Sequence, residues 1–195
     1  MEYIFFDVET TGLSKQSDIL SLAAIICEDN FDIKDVYNEY FLYGGEVPSG
    51  AVAVHGLTSQ KLEFLATRDF MTAAPDVYNL FNRKDIKICG HNVDGYDSNV
   101  LKYNLEINGY TLPKLETIDT LKMARKHLPG SHKLEACVET IAGILGCPKT
   151  FTEKLFRNSE VLMSHVVDDD TKFHSALYDA FCSYCICYLM EELWD

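Results

Sequence analysis

Two carboxylates near the start of the chain, Asp7 and Glu9 in YIFFDVETTGL, are separated by a single residue. This run is rich in strand formers and ends in turn residues, which predicts a central strand with both carboxylates at its C-terminal end. Because side chains alternate faces along a strand, the two project to the same face. Like charges held this close favour a divalent cation between them. Taken alone, such a pair more often only opens a turn.

Two further segments carry residue types that could join such a site. His174 and Asp179 lie five positions apart in FHSALYDAF, a little over one helical turn. An isolated pair of this kind is more often a solvated helix surface. The segment GHNVDGYDSNVL follows a predicted strand and enters a helix. Its polar residues are His91, Asn92, Asp94 and Asp97. Asn92 either caps that helix or contacts a substrate.

The order of these segments resembles one family. The chain carries in succession FDVETTGL, VHGLT, GHN with YDSNVL, ETIDTLKMARK, HKLEACVETIAGILG and HSALYDA. Each segment is a weak signal alone, but together and in this order they are similar to the DnaQ-like exonucleases of the DEDDh type across nearly the whole chain. The resemblance implies a ribonuclease H-like fold and a metal-dependent 3'-5' exonuclease.

The resemblance also implies a role for each polar residue. Two Mg²⁺ or Mn²⁺ ions would be held by Asp7, Glu9, Asp97 and Asp179, while His174 would deprotonate water. Paired ions stabilise the attacking and leaving oxygens of a phosphoryl displacement, and a histidine suits the proton transfer because its unperturbed pKa is near neutral. The substrate-binding residues would be Thr10, Thr11, Leu13, Val54, His55, His91 and Asn92. For His55, packing in the core stays open as an alternative.

The second motif departs from the family pattern by one residue. The family commonly has its aspartate five positions after the histidine of GHN, whereas Asp97 comes six after His91 and Asp94 three after it. A residue inserted near Gly95 is the simplest account, and Tyr96 matches the aromatic residue that the family places before its aspartate. We therefore expect Asp97 to be the ligand. Asp94, three positions away on a helix, remains the alternative.

Hydrophobic periodicity predicts the elements that must position these residues. Five strands are predicted at residues 3–8, 19–27, 36–43, 86–90 and 115–120. Helices are predicted from the N-cap Thr58 to Leu65, at 73–84 with Pro75 near the first turn, and at 94–105, 121–128, 132–145 and 172–193. The expected fold is α/β, a mixed five-stranded sheet flanked by helices, in a single exonuclease domain spanning residues 1–195. The least periodic stretch, 146–170, is expected to contain a mobile loop.

The charge balance limits the mode of nucleic-acid binding. A net charge of −13 argues against a protein that grips long duplexes, which normally need a basic face. Cations bound at the carboxylates would reverse the local field, so a small site for a strand end is compatible with this charge. The cationic segment LKMARKHLPGSHK either contacts phosphates of the incoming strand or forms a solvated helix end.

Composition also indicates a compartment. No apolar run is long enough to cross a bilayer and no signal peptide is recognisable, so we expect a soluble cytoplasmic protein. The chain has seven cysteines, which fits reduced thiols better than a disulfide framework. Cys182, Cys185 and Cys187 fall within a helical pattern and are expected to be buried structural thiols rather than metal ligands.

The expected reaction is release of nucleoside 5'-monophosphates from the 3' end of single-stranded or frayed DNA. One rival is an RNA-trimming enzyme or oligoribonuclease, which the acidic charge suits because its substrates are very short. A catalytically silent binding module is the other, and the presence of all four carboxylates and the histidine disfavours it. A polymerase partner is a further expectation. A free-standing enzyme is favoured, since a polymerase-binding subunit would be expected to carry an extension after the last helix.

Overall fold

The computed structural model describes residues 1–168 and 170–194. Within these residues a six-stranded sheet forms the centre of the molecule. Its strands are β1 (Glu2–Thr10), β2 (Ile19–Glu28), β3 (Ile33–Leu42), β4 (Arg68–Asp69), β5 (Ile86–Gly90) and β6 (Thr117–Asp119). Their order across the sheet is β4-β3-β2-β1-β5-β6. Strand β1, which carries Asp7 and Glu9, is therefore central.

The sheet is mixed, as the sequence predicts. Strands β1, β2 and β3 pair antiparallel, while β5 pairs parallel to β1 and β6 parallel to β5. All five predicted strands are present, but the predicted total of five is wrong. The sixth strand, β4, pairs parallel to the end of β3. It has only two residues, too few for an alternating pattern to be recognised.

Helices cover both faces of the sheet. They are α1 (Ser49–His55), α2 (Ser59–Leu65), α3 (Phe70–Phe81), α4 (Asp97–Ile107), α5 (Thr120–His127), α6 (Leu134–Ile144), α7 (Phe151–Asn158), α8 (Glu160–Met163) and α9 (Ala176–Trp194). Along β1, Phe5 packs in the core shared with α5, α6 and α9, whereas Ile4 and Phe6 pack in the core shared with α3 and α4. By this alternation Asp7 and Glu9 continue the Phe5 row, on the α9 face.

Capping residues decide where two of the helices begin. Thr58 accepts a hydrogen bond from the Lys61 N–H (3.1 Å), which confirms the predicted N-cap of α2. Helix α3 begins at Phe70, three residues before its predicted start, because Asp69 accepts a hydrogen bond from the Thr72 N–H (2.8 Å). Pro75 consequently lies inside α3 and not in its first turn.

Three segments differ from the predicted pattern. Helix α1 lies partly in a stretch that Gly and Pro residues mark as a loop. Residues 146–170, where a mobile loop is predicted, contain α7 and α8, and Asp169 lies outside the described residues. Phe156 and Leu162 are fully buried in the α9 core, so packing stabilises helices too short for a periodic signal. Helix α9 begins at Ala176, four residues after its predicted start.

The structure also describes the environment of the α9 cysteines and the hydrophobicity of the helices. Cys182, Cys185 and Cys187 are buried free thiols within α9, as expected. The described helices include none that combines the length and the apolar character needed to cross a lipid bilayer.

Candidate active site

The centre of the site is a cluster of carboxylates at the C-terminal end of β1. Asp7 and Glu9 are partly buried and point towards α9, whose first turn supplies Asp179. One carboxylate oxygen from each of these residues lies within 4.8 Å of the others. Asp97, the first residue of α4, is 5% exposed. Its charge helps to raise the pKa values of Asp7, Glu9 and Asp179, so Asp97 lies near this three-carboxylate cluster.

Crowding of like charges makes the cluster unfavourable on its own. Burial, followed by the charges of Asp97, Asp179 and Glu9, raises the pKa of Asp7 well above its usual range. Burial and the charges of Asp179 and Asp97 do the same to the pKa of Glu9. Burial also raises the pKa of Asp97 and of Asp179. A cation among these groups would remove both the repulsion and the desolvation penalty.

One atom of the cluster tests whether a cation fits. Asp179 Oδ2 accepts a hydrogen bond from the His174 backbone N–H (3.2 Å). Asp179 Oδ1 is buried and finds no hydrogen-bond donor among residues 1–168 and 170–194. Buried carboxylate oxygens are normally paired, and hard divalent cations bind such oxygens. The donor set, all oxygen and acidic, thus fits Mg²⁺ or Mn²⁺.

The raised carboxyl pKa values predict how the metal-free protein responds to pH. Asp97 and Asp179 titrate near pKa values of about 7 and about 8, against roughly 4 in the unfolded chain. Between these limits the folded state binds protons that the unfolded state has lost, so stability falls as pH rises. We expect the melting temperature of metal-stripped protein to be at least about 4 °C lower at pH 8 than at pH 5.5, or about 1 kcal/mol or more.

Thermal denaturation across this pH range, with and without Mg²⁺, checks the prediction. Added Mg²⁺ should raise the melting temperature most at pH 8, where the carboxylates are ionised. Asp7→Asn removes one crowded charge and should flatten the metal-free profile. A metal-free profile that is flat in the unsubstituted protein, or that rises with pH, contradicts the prediction.

The structure places Asp94 outside the cluster. Its Oδ1 accepts a hydrogen bond from the Thr117 hydroxyl and its Oδ2 pairs with Lys122 Nζ, both at 2.5 Å. Hydrogen bonds from these two groups to the carboxylate lower the pKa of Asp94, although burial opposes them. Asp94, in the loop between β5 and α4, is therefore salt-bridged to Lys122 of α5, whereas Asp97 acts on Asp7.

A tight turn separates the two aspartates. Asn92 adopts a left-handed conformation (φ 71°), which asparagine tolerates better than most residues. A Cβ at Gly95 would lie 2.3 Å from Asn92 Oδ1, so any larger residue there would displace the Asn92 side chain. Asp119, which sequence analysis did not single out, accepts hydrogen bonds from the N–H groups of Asn92 (3.0 Å) and Asp94 (3.3 Å). These contacts fix the loop that delivers Asp97.

His174 lies just before α9, not within it as the predicted helix implied. Its φ of 66° is left-handed, and its N–H donates to Asp179. The imidazole is exposed, with Nε2 3.9 Å from Glu135 Oε1. It lines a cavity of 280 Å³ together with Glu9, Tyr40 and residues of α1. His174 is thus next to the carboxylate cluster and accessible from solvent.

The residues expected around the terminal nucleotide line a second cavity, of 420 Å³. Five of the expected substrate-binding residues line this cavity: Thr10, Thr11, Leu13, Val54 and His55. Leu13 is 95% exposed and Val54 56% exposed, so two apolar side chains stand unburied at this cavity. An apolar wall beside polar groups is the composition that a nucleobase and its sugar require.

His55 is held by backbone groups on both sides of its ring. Nδ1 accepts a hydrogen bond from the Leu57 N–H (3.0 Å), so the proton resides on Nε2, which donates to the Thr10 carbonyl (3.1 Å). Burial lowers the pKa of His55. The ring is therefore neutral, and it connects α1 to the end of β1 instead of packing in the core.

His91 and Asn92 lie apart from this cavity. His91 Nδ1 pairs with the Thr120 hydroxyl (3.0 Å) and Nε2 with the His132 carbonyl (2.8 Å). Both ring nitrogens thus bind protein groups, and His91 is also part of a different cavity with Arg125 and Lys133. The Asn92 side chain is exposed. Asn92 precedes α4 by several residues and does not cap it.

Tyr96 lines the 420 Å³ cavity as well, although the sequence indicated only that it precedes the expected ligand Asp97. Its hydroxyl donates to the Gly12 carbonyl (2.5 Å) and lies 2.7 Å from Thr10 Oγ1. It therefore fixes the turn that follows β1 and carries Leu13. No local signal in the sequence could identify this contact, because Tyr96 and Thr10 are 86 positions apart.

Comparisons with known proteins show which family the chain resembles. The RNase_T exonuclease family model matches residues 4–186. The 3'-5' exonuclease DinG of Bacillus subtilis (strain 168) is 29% identical over 130 residues, 66% of this chain and 13% of DinG. The DNA polymerase III subunit epsilon of Buchnera aphidicola is 29% identical over 137 residues, 65% of this chain and 55% of epsilon. The chain therefore spans little more than half the length of the epsilon subunit and a small part of the length of DinG.

A solved structure shares the fold. The zinc-bound form of the exonuclease I complex with single-stranded DNA, from E. coli, superposes with a TM-score of 0.76 at 19% identity, over 99% of this chain and 41% of that chain. The family match runs from β1 into α9 and spans all four carboxylates and His174. The family expected from the order of the motifs is thereby confirmed, and the chain belongs to the RNase_T family of DnaQ-like exonucleases.

Proposed function

We propose that this chain acts as a single exonuclease domain that hydrolyses the 3'-terminal phosphodiester bond of single-stranded DNA and releases nucleoside 5'-monophosphates. One observation carries the proposal. A crowded carboxylate cluster, in which the buried Asp179 Oδ1 lacks a donor among the described residues, adjoins cavities lined by residues of α1 and of the turn after β1. Such a site combines strong affinity for cations with room for a strand end.

The cofactor in this proposal is a pair of Mg²⁺ or Mn²⁺ ions held by Asp7, Glu9, Asp97 and Asp179. Bound there, the ions would stabilise the charge that develops on the attacking and leaving oxygens of an in-line displacement. The protein prepares this site by burying Asp97, by partly burying the other three carboxylates and by fixing Asp179 through the His174 N–H. The residues that would hold the cations come from three elements, β1, α4 and α9.

His174 is the proposed general base. Its exposed imidazole is next to Glu9 in the same cavity, where it can take a proton from the attacking water. The water oxygen bonds to phosphorus as the bond to the 3' oxygen breaks, and that oxygen keeps the electron pair and takes a proton from solvent. Glu135, 3.9 Å from Nε2, stabilises the imidazolium that forms.

The turn after β1 and α1 confine the substrate to its terminal nucleotide. Leu13 and Val54 provide apolar contacts for a base, while Thr10 and Thr11 provide hydroxyl groups near its sugar. A base must be unstacked to reach between such side chains, which favours single strands and frayed ends over intact duplex. Frayed DNA, RNA and a polymerase partner stay predictions from the sequence.

Removal of metal should abolish the reaction. We expect excess chelator to stop hydrolysis of a 5'-labelled single-stranded oligonucleotide and added Mg²⁺ or Mn²⁺ to restore it, because bound cations would offset the mutual repulsion of the carboxylates. Products that shorten one nucleotide at a time from the 3' end would identify the direction. Full activity of metal-stripped protein contradicts the two-ion proposal. Faster hydrolysis of a matched RNA than of DNA would assign the chain to RNA trimming instead.

A further inference from the structure

The segment that carries His174 is tied to β3 by a buried carboxylate. Asp170 is 1% exposed. Its Oδ1 accepts a hydrogen bond from the Tyr40 hydroxyl, and its Oδ2 accepts from Asn38 Nδ2 (2.8 Å) and from the Val167 N–H (3.0 Å). Asn38 Nδ2 also donates to the His165 carbonyl (2.9 Å). Two β3 side chains thereby hold both ends of a segment that precedes His174.

Asn38 and Tyr40, the two β3 side chains that hold this segment, lie in the same rows of the sheet as the proposed metal ligands Asp7 and Glu9. Across β1, β2 and β3, Asp7 is level with Ala23 and Asn38, and Glu9 with Ser21 and Tyr40. Side chains directly opposite in antiparallel strands share a face, so Tyr40 points to the side on which Glu9 lies. With strands roughly 5 Å apart, β3 is about 10 Å from β1, a span that the segment leading to His174 can bridge.

Regular secondary structure does not hold this segment. Between α8 and α9 the described residues form turns and bends, and His174 itself is left-handed. Side chains fix it instead: Thr171 accepts from Arg157 Nη2 (3.0 Å), and the His174 N–H donates to Asp179. Burial, and next the charge of Asp170, raises the pKa of Tyr40, so its hydroxyl keeps the proton that it donates.

We propose that Asp170 is a positioning residue for the reaction, which fixes the His174 segment to the sheet through Tyr40 and Asn38. This inference rests on the proposed function, since it assigns Asp170 an effect through the general base. Asp170 lines neither of the two cavities of the site and belongs to none of the motifs of the sequence. Its carboxylate can accept several hydrogen bonds at once, whereas an asparagine would turn a donor towards Asn38 or Val167.

The test compares two variants. Tyr40→Phe removes one hydroxyl and keeps the ring packing, and Asp170→Asn removes the charge. Each should lower kcat on single-stranded DNA about 10- to 100-fold, the effect of displacing a catalytic group by a fraction of its correct geometry, while KM changes less than about threefold. Hydrogen exchange in peptides that contain His174 should become faster in both. Slower turnover without faster exchange would overturn the inference.

A double-substitution cycle separates positioning from general destabilisation. In a His174→Ala background, Tyr40→Phe should lower the rate less than about twofold, because the group that it positions is gone. Equal losses in both backgrounds would overturn the inference. If the unsubstituted protein hydrolyses neither DNA nor RNA, the proposed function fails. The exchange measurement then still decides whether Asp170 fixes the segment.

A matched control lies on the same strand. Tyr37 also donates its hydroxyl to a carboxylate, that of Glu39, but on the opposite face of β3. Tyr37→Phe therefore removes a comparable hydrogen bond away from His174. We expect kcat to stay within about twofold of that of the unsubstituted protein. A loss in Tyr37→Phe equal to that in Tyr40→Phe would mean that any lost β3 hydroxyl slows turnover, and would overturn the inference.

Discussion

His174→Ala is expected to lower the rate of DNA hydrolysis by about a hundred- to ten-thousandfold, the contribution typical of a positioned general base. The exposed imidazole adjoins Glu9 in one cavity, while its main-chain N–H, which alanine retains, holds Asp179. The substitution should therefore leave the carboxylate cluster intact. Calorimetric titration with Mn²⁺ should give an affinity within about threefold of the original.

The rate–pH profile and a second histidine serve as controls. The acidic limb of the profile should disappear or move in His174→Ala, because the base no longer titrates. His165→Ala removes a ring that bonds only near itself, to Val161 and Ser164, and should leave the rate unchanged. A His174→Ala rate within threefold of the original excludes it as the base. An unchanged acidic limb would assign that limb to the metal ligands.

The second large effect is a difference in rate between the Asp97→Ala and Asp94→Ala variants. Asp97→Ala should lower the single-turnover rate at saturating Mn²⁺ by at least about a hundredfold, since it removes one of the proposed ligands of the cations that would stabilise the transition state. Asp94→Ala should cost less than about tenfold, or ~1.4 kcal/mol of barrier. Asp94 pairs with Lys122 and Thr117, and an exposed pair of that kind contributes little.

Lys122→Ala provides the matched control for Asp94→Ala. It removes the cation of the Asp94–Lys122 ion pair, so its effects on the rate and on the melting temperature should equal those of Asp94→Ala. Circular dichroism should show all three variants folded. The reverse ranking, with Asp94→Ala the more damaging, would move the metal ligand to Asp94 and contradict the placement of Asp97 beside Asp7.

Local sequence patterns determined the framework of the site. The alternation along β1 is enough to place Asp7 and Glu9 on one face, because the two-residue period of a strand does not depend on distant contacts. The cap of α2 is equally local, since Thr58 bonds an N–H three positions away. The order of the motifs gave the family, and with it four carboxylates and a histidine for the site.

Contacts between distant parts of the chain decided the rest. Asp94 and Asp97 are both plausible in sequence, and only the partners supplied by β6 and α5 draw Asp94 away. Helix α1 has no fully buried residue and hence no apolar stripe to predict it. The His174 N–H, in its left-handed turn, donates to Asp179. In the segment before it, Asp170 accepts a hydrogen bond from Tyr40, which lies 130 positions earlier in the chain. Such contacts form only when the sheet brings β1, β3 and α9 together, so no periodic pattern in the sequence records them.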